Sequence, residues 1–200
     1  AEDGRPVKVH SVHTQTLAIM CGLKREHHAG MLAKRLLPFI RGRKVPGAEP
    51  SCYWVTYVLD VLRERGCGAD VVNYIRKVWG PMIPYGGTFE DARTQLGKAT
   101  ASHAWSAHPI YHLARTLGGV VQQAAGWRRV AFAPLVNLSE VSRTQAVVPT
   151  PRGLIRASWK RAGRTVDVRL ALPKGVTADV RLPGVKPAAV TGRNRWTIAL

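Results

Sequence analysis

The histidines and cysteines of this chain are possible metal ligands, and their spacing indicates whether they could form a metal site. The 200 residues include seven histidines and three cysteines. His108 and His112 lie four residues apart, a spacing that places both imidazoles on one face of a helix, as two zinc ligands would be. No glutamate or cysteine joins them at a spacing typical of zinc sites. We therefore expect structural histidines here, no metal site and no cofactor.

A second group of possible ligands lies nearer the N-terminus, and its spacing matches no zinc pattern. We predict that it is a surface cluster; its members are His10, His13, Cys21, His27 and His28. No glycine motif of the kind that forms an oxyanion hole surrounds a cysteine, so the sequence does not favour a cysteine nucleophile. The odd number of cysteines predicts free thiols, packed as small buried hydrophobes in a reducing compartment such as the cytoplasm or an organelle matrix.

Composition favours a soluble globular protein. The chain is 46% hydrophobic, 21% charged and 7% aromatic, which is too apolar for intrinsic disorder. No run approaches the roughly 18 uninterrupted apolar residues of a membrane span, so we expect no membrane association. The first ten residues also lack the pattern of a signal peptide.

Two periodicities divide the chain and predict an α+β fold. Apolar residues recur at helical spacing from His13 to about Gly118, and short loops favour antiparallel helix hairpins. The predicted helices cover residues 13–22, 24–40, 50–62 and 69–78, with a last helix capped by Ser102 or Ser106. After Gly126 the period becomes two, which predicts five to seven strands in a small antiparallel β-sandwich. We expect a helical domain over residues 1–125 and the sandwich over residues 126–200.

Charge is the unusual property of this sequence. Thirty lysines and arginines against twelve acids give a net charge of +18, and residues 126–200 hold 14 basic and 3 acidic side chains. This excess attracts polyanions, so a nucleic acid or an acidic polymer is a possible partner; the alternative is a solvated arginine-rich surface. The candidate polyanion-binding residues are Arg128, Arg129, Arg152, Arg156, Lys160, Arg161 and Arg164.

Three segments together resemble the bacterial α-L-rhamnosidases. Residues 75–90 read IRKVWGPMIPYGGTFE, and residues 102–107 read SHAWSA, followed by Pro109 and Tyr111. The third segment comprises GWRRV at 126–130 and VPTPRGLIRASWK at 148–160. In that family these motifs belong to the C-terminal half of a six-hairpin (α/α)6 barrel and to its appended β-sandwich.

The resemblance implies inverting hydrolysis of terminal α-L-rhamnosides. Such enzymes place two carboxyl groups roughly 6.5–9.5 Å apart, one protonating the leaving oxygen and one activating water. Glu90 falls at the position of the family's general base. His103 and Trp105 fall where the family lines the sugar subsite, and an indole suits the apolar face of a sugar.

Departures from the family pattern leave two functions open. The family's acidic segment with the general acid has no counterpart; residues 62–66, LRERG, come nearest. Phe89 replaces the usual tryptophan, and about five helices stand where a complete barrel has twelve. The first hypothesis is an incomplete rhamnosidase-like hydrolase module, and the second is a non-catalytic relative recruited as a basic structural subunit of a large assembly such as a ribonucleoprotein. Expected partners are a rhamnoside or other glycan and a protein partner or the missing front half of the barrel.

Overall fold

The computed structural model describes residues 9–88 and 103–200. It divides into two compact units, Ala1–Pro109 and Ile110–Leu200. The first unit is helical and the second is formed mainly by strands, which confirms the α+β class. The domain boundary between residues 125 and 126 stays a prediction. No helix in the described ranges is long and apolar enough to cross a membrane.

The helices of the first unit follow the predicted order. The α-helical segments are α1 (Val12–Met20), α2 (His28–Met31), α3 (Leu37–Ile40), α4 (Val55–Glu64) and α5 (Gly68–Trp79). Short 3₁₀ turns cover Arg25–His27, Gly80–Tyr85 and Ala104–Ser106. A further helix, α6 (Pro109–Thr116), begins at the last residue of this unit.

Helix α1 confirms the prediction for residues 13–22. The Ser11 hydroxyl accepts a hydrogen bond from the Thr14 amide at 3.3 Å and caps the N-terminus. The helix is followed by Gly22, whose φ of 68° suits the left-handed position after a helix.

The predicted helix over residues 24–40 is less regular than expected. Lys24 adopts a left-handed conformation with a φ of 53° before the first turn. Between α2 and α3 the backbone widens into a π-helical segment, Leu32–Leu36, where the Leu37 amide donates to the Leu32 carbonyl. This wide turn directly precedes Pro38, whose ring would clash with the carbonyl four residues earlier in a regular α-helix.

Helices α4 and α5 form the amphipathic pair at the centre of the first unit. Their buried side chains recur at helical spacing and include Val55, Val58, Leu59 and Leu62 of α4, and Val71, Val72, Ile75 and Trp79 of α5. Asp70 in the first turn of α5 accepts two hydrogen bonds from Arg41, at 2.7 and 3.1 Å. This bidentate pair joins the end of α3 to the start of α5.

The second unit contains two four-stranded sheets. Their strand orders are β1-β2-β6-β7 and β3-β4-β5-β8. The strands are β1 (Val120–Gln122), β2 (Arg129–Phe132), β3 (Arg143–Thr150), β4 (Gly153–Ala162), β5 (Thr165–Ala171), β6 (Thr177–Val180), β7 (Ala188–Val190) and β8 (Arg193–Ala199). The pairing is antiparallel except that β6 lies parallel to β2. The parallel pair arises because the chain builds β3, β4 and β5 in the other sheet before it returns beside β2.

Both sheets bury alternate residues, as the period of two predicts. In β4 and β5 the buried residues are Ile155, Ala157, Trp159, Val166, Val168 and Leu170. They pack with Val130, Phe132, Ala178, Val180 and Ile198 into one core. The Trp159 indole N–H donates to the Leu117 carbonyl at 2.8 Å, so its polar atom is satisfied inside that core.

Candidate functional site

The predicted general base, Glu90, lies outside the described residues. The structure describes the chain on both sides of the segment that contains it. The His103 amide donates to the Thr88 carbonyl at 2.8 Å, and the Thr88 hydroxyl donates to the His103 carbonyl at 3.1 Å. These two hydrogen bonds bring the ends of the segment, Thr88 and His103, together.

His103 starts the short turn that carries the predicted sugar-binding tryptophan. Its Nδ1 atom accepts a hydrogen bond from the Trp105 amide at 3.2 Å and caps the turn Ala104–Ser106. Because Nδ1 accepts, a neutral ring carries its proton on Nε2. The half-buried imidazole can therefore donate one hydrogen bond from Nε2 while it holds the turn in place.

Trp105 and Tyr53 form an exposed aromatic pair. The Trp105 side chain is 44% exposed and that of Tyr53 is 43% exposed, with the ring centroids 4.6 Å apart. The His103 ring lies 5.6 Å from the Trp105 ring and is nearly perpendicular to it. We call these three rings the aromatic cluster. Exposed ring faces next to a hydrogen-bond donor are the features with which proteins bind a sugar's apolar face and hydroxyl groups.

Buried hydrogen bonds anchor the turn beneath the aromatic cluster. The Trp79 indole N–H donates to the Ser106 carbonyl at 2.7 Å, and Ser106 is fully buried. His108 Nε2 donates to the Cys52 carbonyl at 2.7 Å, directly before Tyr53. Burial lowers the pKa of His108, and the hydrogen bond to the Cys52 carbonyl opposes part of that shift. His108 thus has a structural role in positioning Tyr53.

Tyr53 is the member of the aromatic cluster that sequence reasoning missed. The prediction placed it with Trp54 and Tyr57 in a helix over residues 50–62, whereas α4 begins at Val55. A hydrogen bond with Tyr53 raises the pKa of Tyr57, and the Trp54 and Tyr57 rings lie 5.3 Å apart. The only sequence signal was three aromatic residues within five positions, which does not show that Tyr53 reaches Trp105.

The N-terminal histidines and cysteines do not gather at one place. His28 is buried, and its ring donates to the Leu23 carbonyl and accepts from Arg65, at 2.8 and 3.0 Å. Of the cysteines, Cys52 is buried, Cys67 is half-buried and Cys21 is exposed, so the prediction of buried thiols is right for Cys52 alone. Within residues 9–88 and 103–200, no three His, Cys, Asp or Glu side chains are arranged to hold a metal ion.

The candidate polyanion-binding residues have different surroundings. Arg129 forms a bidentate pair with Asp179, at 2.7 and 3.0 Å. Arg161 donates to two backbone carbonyls, each at 2.7 Å, and Arg152 donates to another at 2.8 Å. Arg128 and Arg164 are exposed outside the strands. Arg156 and Lys160 are exposed on the same side of β4.

Comparison with known families and structures agrees with the resemblance seen in the motifs. Residues 119–196 match the family described as the bacterial alpha-L-rhamnosidase C-terminal domain. No curated protein sequence matches the chain.

Solved structures extend the similarity to nearly the whole chain. The chain is 26% identical to the GH78 family rhamnosidase of Bacillus sp. GL1, with a TM-score of 0.72 over 91% of this chain and 20% of that one. It shares the fold of the Streptomyces avermitilis α-L-rhamnosidase complexed with L-rhamnose, at 18% identity and a TM-score of 0.74, over 99% of this chain and 22% of that one. It also shares the fold of the enzyme from Dictyoglumus thermophilum, at 17% identity and a TM-score of 0.77, over 96% and 26%. The chain spans only about a fifth to a quarter of each of these chains.

Proposed function

We propose that this chain, which is related to the α-L-rhamnosidases, is the sugar-binding C-terminal part of an inverting α-L-rhamnosidase. In this proposal Glu90 is the general base, and His103 and Trp105 hold the terminal sugar. The observation that carries the proposal is the exposed ring pair of Trp105 and Tyr53, joined through His103 to Thr88, two residues before Glu90.

The aromatic cluster suits a 6-deoxy sugar. Such a sugar presents a methyl group and an apolar ring face, which gain from burial against the indole of Trp105 and the phenol ring of Tyr53. Its hydroxyl groups need polar partners, and the Nε2–H of His103 supplies one donor. Hydrogen bonds to and within the turn Ala104–Ser106 hold it in place, so little ordering is required when the sugar binds.

Hydrolysis needs a second carboxyl group. Inversion requires an acid to protonate the leaving oxygen while Glu90 removes a proton from the attacking water. No segment of this chain resembles the family's general-acid segment, and the chain spans a fifth to a quarter of the similar rhamnosidases. We therefore place the general acid on a longer parent chain or on a partner subunit.

A binding experiment tests the sugar subsite. We expect L-rhamnose to bind the chain weakly, and Trp105→Ala to lower the affinity about tenfold or more because half of the aromatic pair is lost. Tyr111→Ala, at a 43% exposed tyrosine of the second unit, is the matched control and should bind like the parent chain. Equal affinities in all three proteins would overturn the subsite.

A turnover assay tests whether the general base lies on this chain and the general acid lies outside it. The chain alone and its Glu90→Gln variant should both fail to hydrolyse an aryl α-L-rhamnoside. Turnover by the parent chain that disappears in Glu90→Gln would show that this chain carries its own general acid, and would contradict the incomplete site.

A second candidate function is a non-catalytic, basic subunit of a large assembly. The net charge of +18 favours it, because a neutral sugar gives no reason for such an excess. In that case Trp105→Ala would leave assembly unchanged, whereas removing surface cations would weaken assembly in a salt-dependent way.

A further inference from the structure

One side of the sheet β3-β4-β5-β8 is strongly basic. The residues that alternate with the buried ones point to the other side of this sheet. Six cations lie there: Arg143, Arg156, Lys160, Arg169, Arg193 and Arg195, all of them exposed. We call this surface the basic face.

Strand register places these cations next to one another. Arg143 on β3 lies opposite Lys160 on β4, and Arg169 on β5 lies opposite Arg195 on β8. Arg156 and Arg193 both lie opposite Ala171, one from each side. With strands about 4.8 Å apart and outward residues about 6.8 Å apart along each strand, the six cations share an area of about 14 by 14 Å. Like charges in such positions repel one another, a cost that bound anions would remove.

The basic face contains little compensating charge. Asp167 is the one acid in the sequences of these four strands. Its carboxylate accepts hydrogen bonds from Arg195 and from the Thr197 hydroxyl, both at 2.8 Å. The other sheet has one cation, Arg129, paired with one acid, Asp179. Of the two sheets, only β3-β4-β5-β8 therefore carries an excess of positive charge on its strands.

The groups between the cations favour a particular kind of polyanion. Gln145, Ser158 and Thr197 lie on the basic face among the charged side chains and can bond to hydroxyl groups. The guanidinium groups offer paired donors that fit carboxylates. A polymer with both hydroxyl and carboxylate groups along its length matches this mixture.

We propose that the basic face binds an acidic polysaccharide that carries carboxylate groups at regular intervals. This inference rests on the proposed function and adds a property of the substrate: the glycan from which the rhamnosyl group is removed is itself anionic. A nucleic acid is less well matched. The only aromatic residues of these strands, Trp159 and Trp196, belong to the inward-facing set, so no stacking platform faces outward. A four-stranded sheet also does not enter a groove as a helix or a two-stranded ribbon does.

The test removes charge from the basic face and, separately, from another part of the same unit. The face variant is Arg156→Gln/Lys160→Gln/Arg169→Gln. The matched control is Lys174→Gln/Arg181→Gln/Lys186→Gln, which removes the same charge from exposed residues outside the strands. The probes are polygalacturonate, neutral dextran and an RNA duplex, each at low and high salt.

We expect the parent chain and the control variant to bind polygalacturonate in a salt-dependent manner and to leave dextran unbound. The face variant should lose about tenfold or more in affinity. Equal losses in both variants, or no binding by the parent chain, would overturn the proposal. Tighter binding of the RNA duplex than of polygalacturonate, lost in the face variant, would overturn it in favour of a nucleic acid.

Two further measurements keep the result interpretable. If the face variant does not fold, as judged by circular dichroism, Arg143→Gln/Arg193→Gln on the two edge strands replaces it, with the same expected loss. Trp105→Ala should leave polygalacturonate binding unchanged, and the face variant should leave L-rhamnose binding unchanged. The two binding measurements therefore distinguish failure of the sugar-subsite proposal from failure of the basic-face proposal.

Discussion

Arg169 on β5 and Arg195 on β8 lie directly opposite each other in the sheet. Both side chains point to the exposed side, where cross-strand neighbours with like charges repel one another. Asp167, two residues before Arg169, accepts a hydrogen bond from Arg195 at 2.8 Å and offsets part of this repulsion. The sheet therefore holds more positive charge than its own acids balance.

Removing one member of this pair should stabilise the protein. Arg169→Gln should raise the free energy of unfolding by at most about 0.5 kcal/mol, because the repulsion with Arg195 is lost. Urea unfolding at low and high salt measures the gain, which should shrink as salt screens the charges. Arg164→Gln in the turn before β5 is the control and should change little. A less stable Arg169→Gln variant would show that the two cations are not in conflict.

Stability in acid should depend on Asp167. Hydrogen bonds from Thr197 and Arg195 hold the pKa of this carboxyl below its ordinary value of 3.8. A carboxyl whose pKa is lower in the folded chain than in the unfolded chain contributes stability above the unfolded pKa. That contribution is lost as the pH falls through the unfolded pKa toward the folded one. Asp167→Asn should therefore be less stable than the parent at pH 7, and the difference should shrink below about pH 3.8. A constant difference down to pH 2 would contradict this linkage.

Trp79 should matter both for stability and for sugar binding. Trp79→Phe removes the buried hydrogen bond to the Ser106 carbonyl, at a cost of about 0.5–1.5 kcal/mol. Because the turn below Trp105 loses its anchor, L-rhamnose affinity should fall as well. Trp159→Phe is the matched control, since it removes a similar indole hydrogen bond to Leu117 in the second unit. Loss of rhamnose affinity in both variants would point to general destabilisation instead.

Gly119 should not tolerate a side chain. Its φ is 71°, and a Cβ atom there would overlap the nitrogen and Cα of Pro134. We expect Gly119→Ala to lower the free energy of unfolding by several kcal/mol. The backbone of Ala133 and Pro134, which directly follow β2, would have to move to make room for the methyl group. Gly163→Ala has a similar φ of 61° with nothing within 4 Å, so it should cost only the roughly 1–2 kcal/mol of the left-handed conformation. Equal losses would show that the close approach to Pro134 carries no cost.

Local patterns predicted most of the elements. Helix α5 coincides closely with the predicted helix over residues 69–78, because it has one clear apolar periodicity over its whole length. Helix α4 starts later than predicted, at Val55. The Ser51 hydroxyl instead accepts from the Trp54 amide and closes a turn before the helix.

Contacts between residues distant in sequence were beyond prediction. The pairing of β2 with β6 depends on the path of three intervening strands, and no local pattern encodes it. Tyr53 meets Trp105 across 52 positions of sequence. Arg161 resembles Arg156, the other arginine of β4, in sequence, but it donates hydrogen bonds to the Val136 and Leu138 carbonyls. The basic face was therefore only partly predicted, through Arg156 and Lys160.

The six tryptophans make it possible to test directly whether Trp105 binds the terminal sugar. The measurement is a titration of the ¹⁵N-labelled chain with L-rhamnose, followed through the six indole N–H signals in NMR spectra. If Trp105 binds the sugar, its signal shifts in a saturable way while those of Trp159 and Trp196 stay in place. A titration in which the Trp105 signal does not move, or in which only that of Trp127 in the second unit moves, would contradict this role of Trp105.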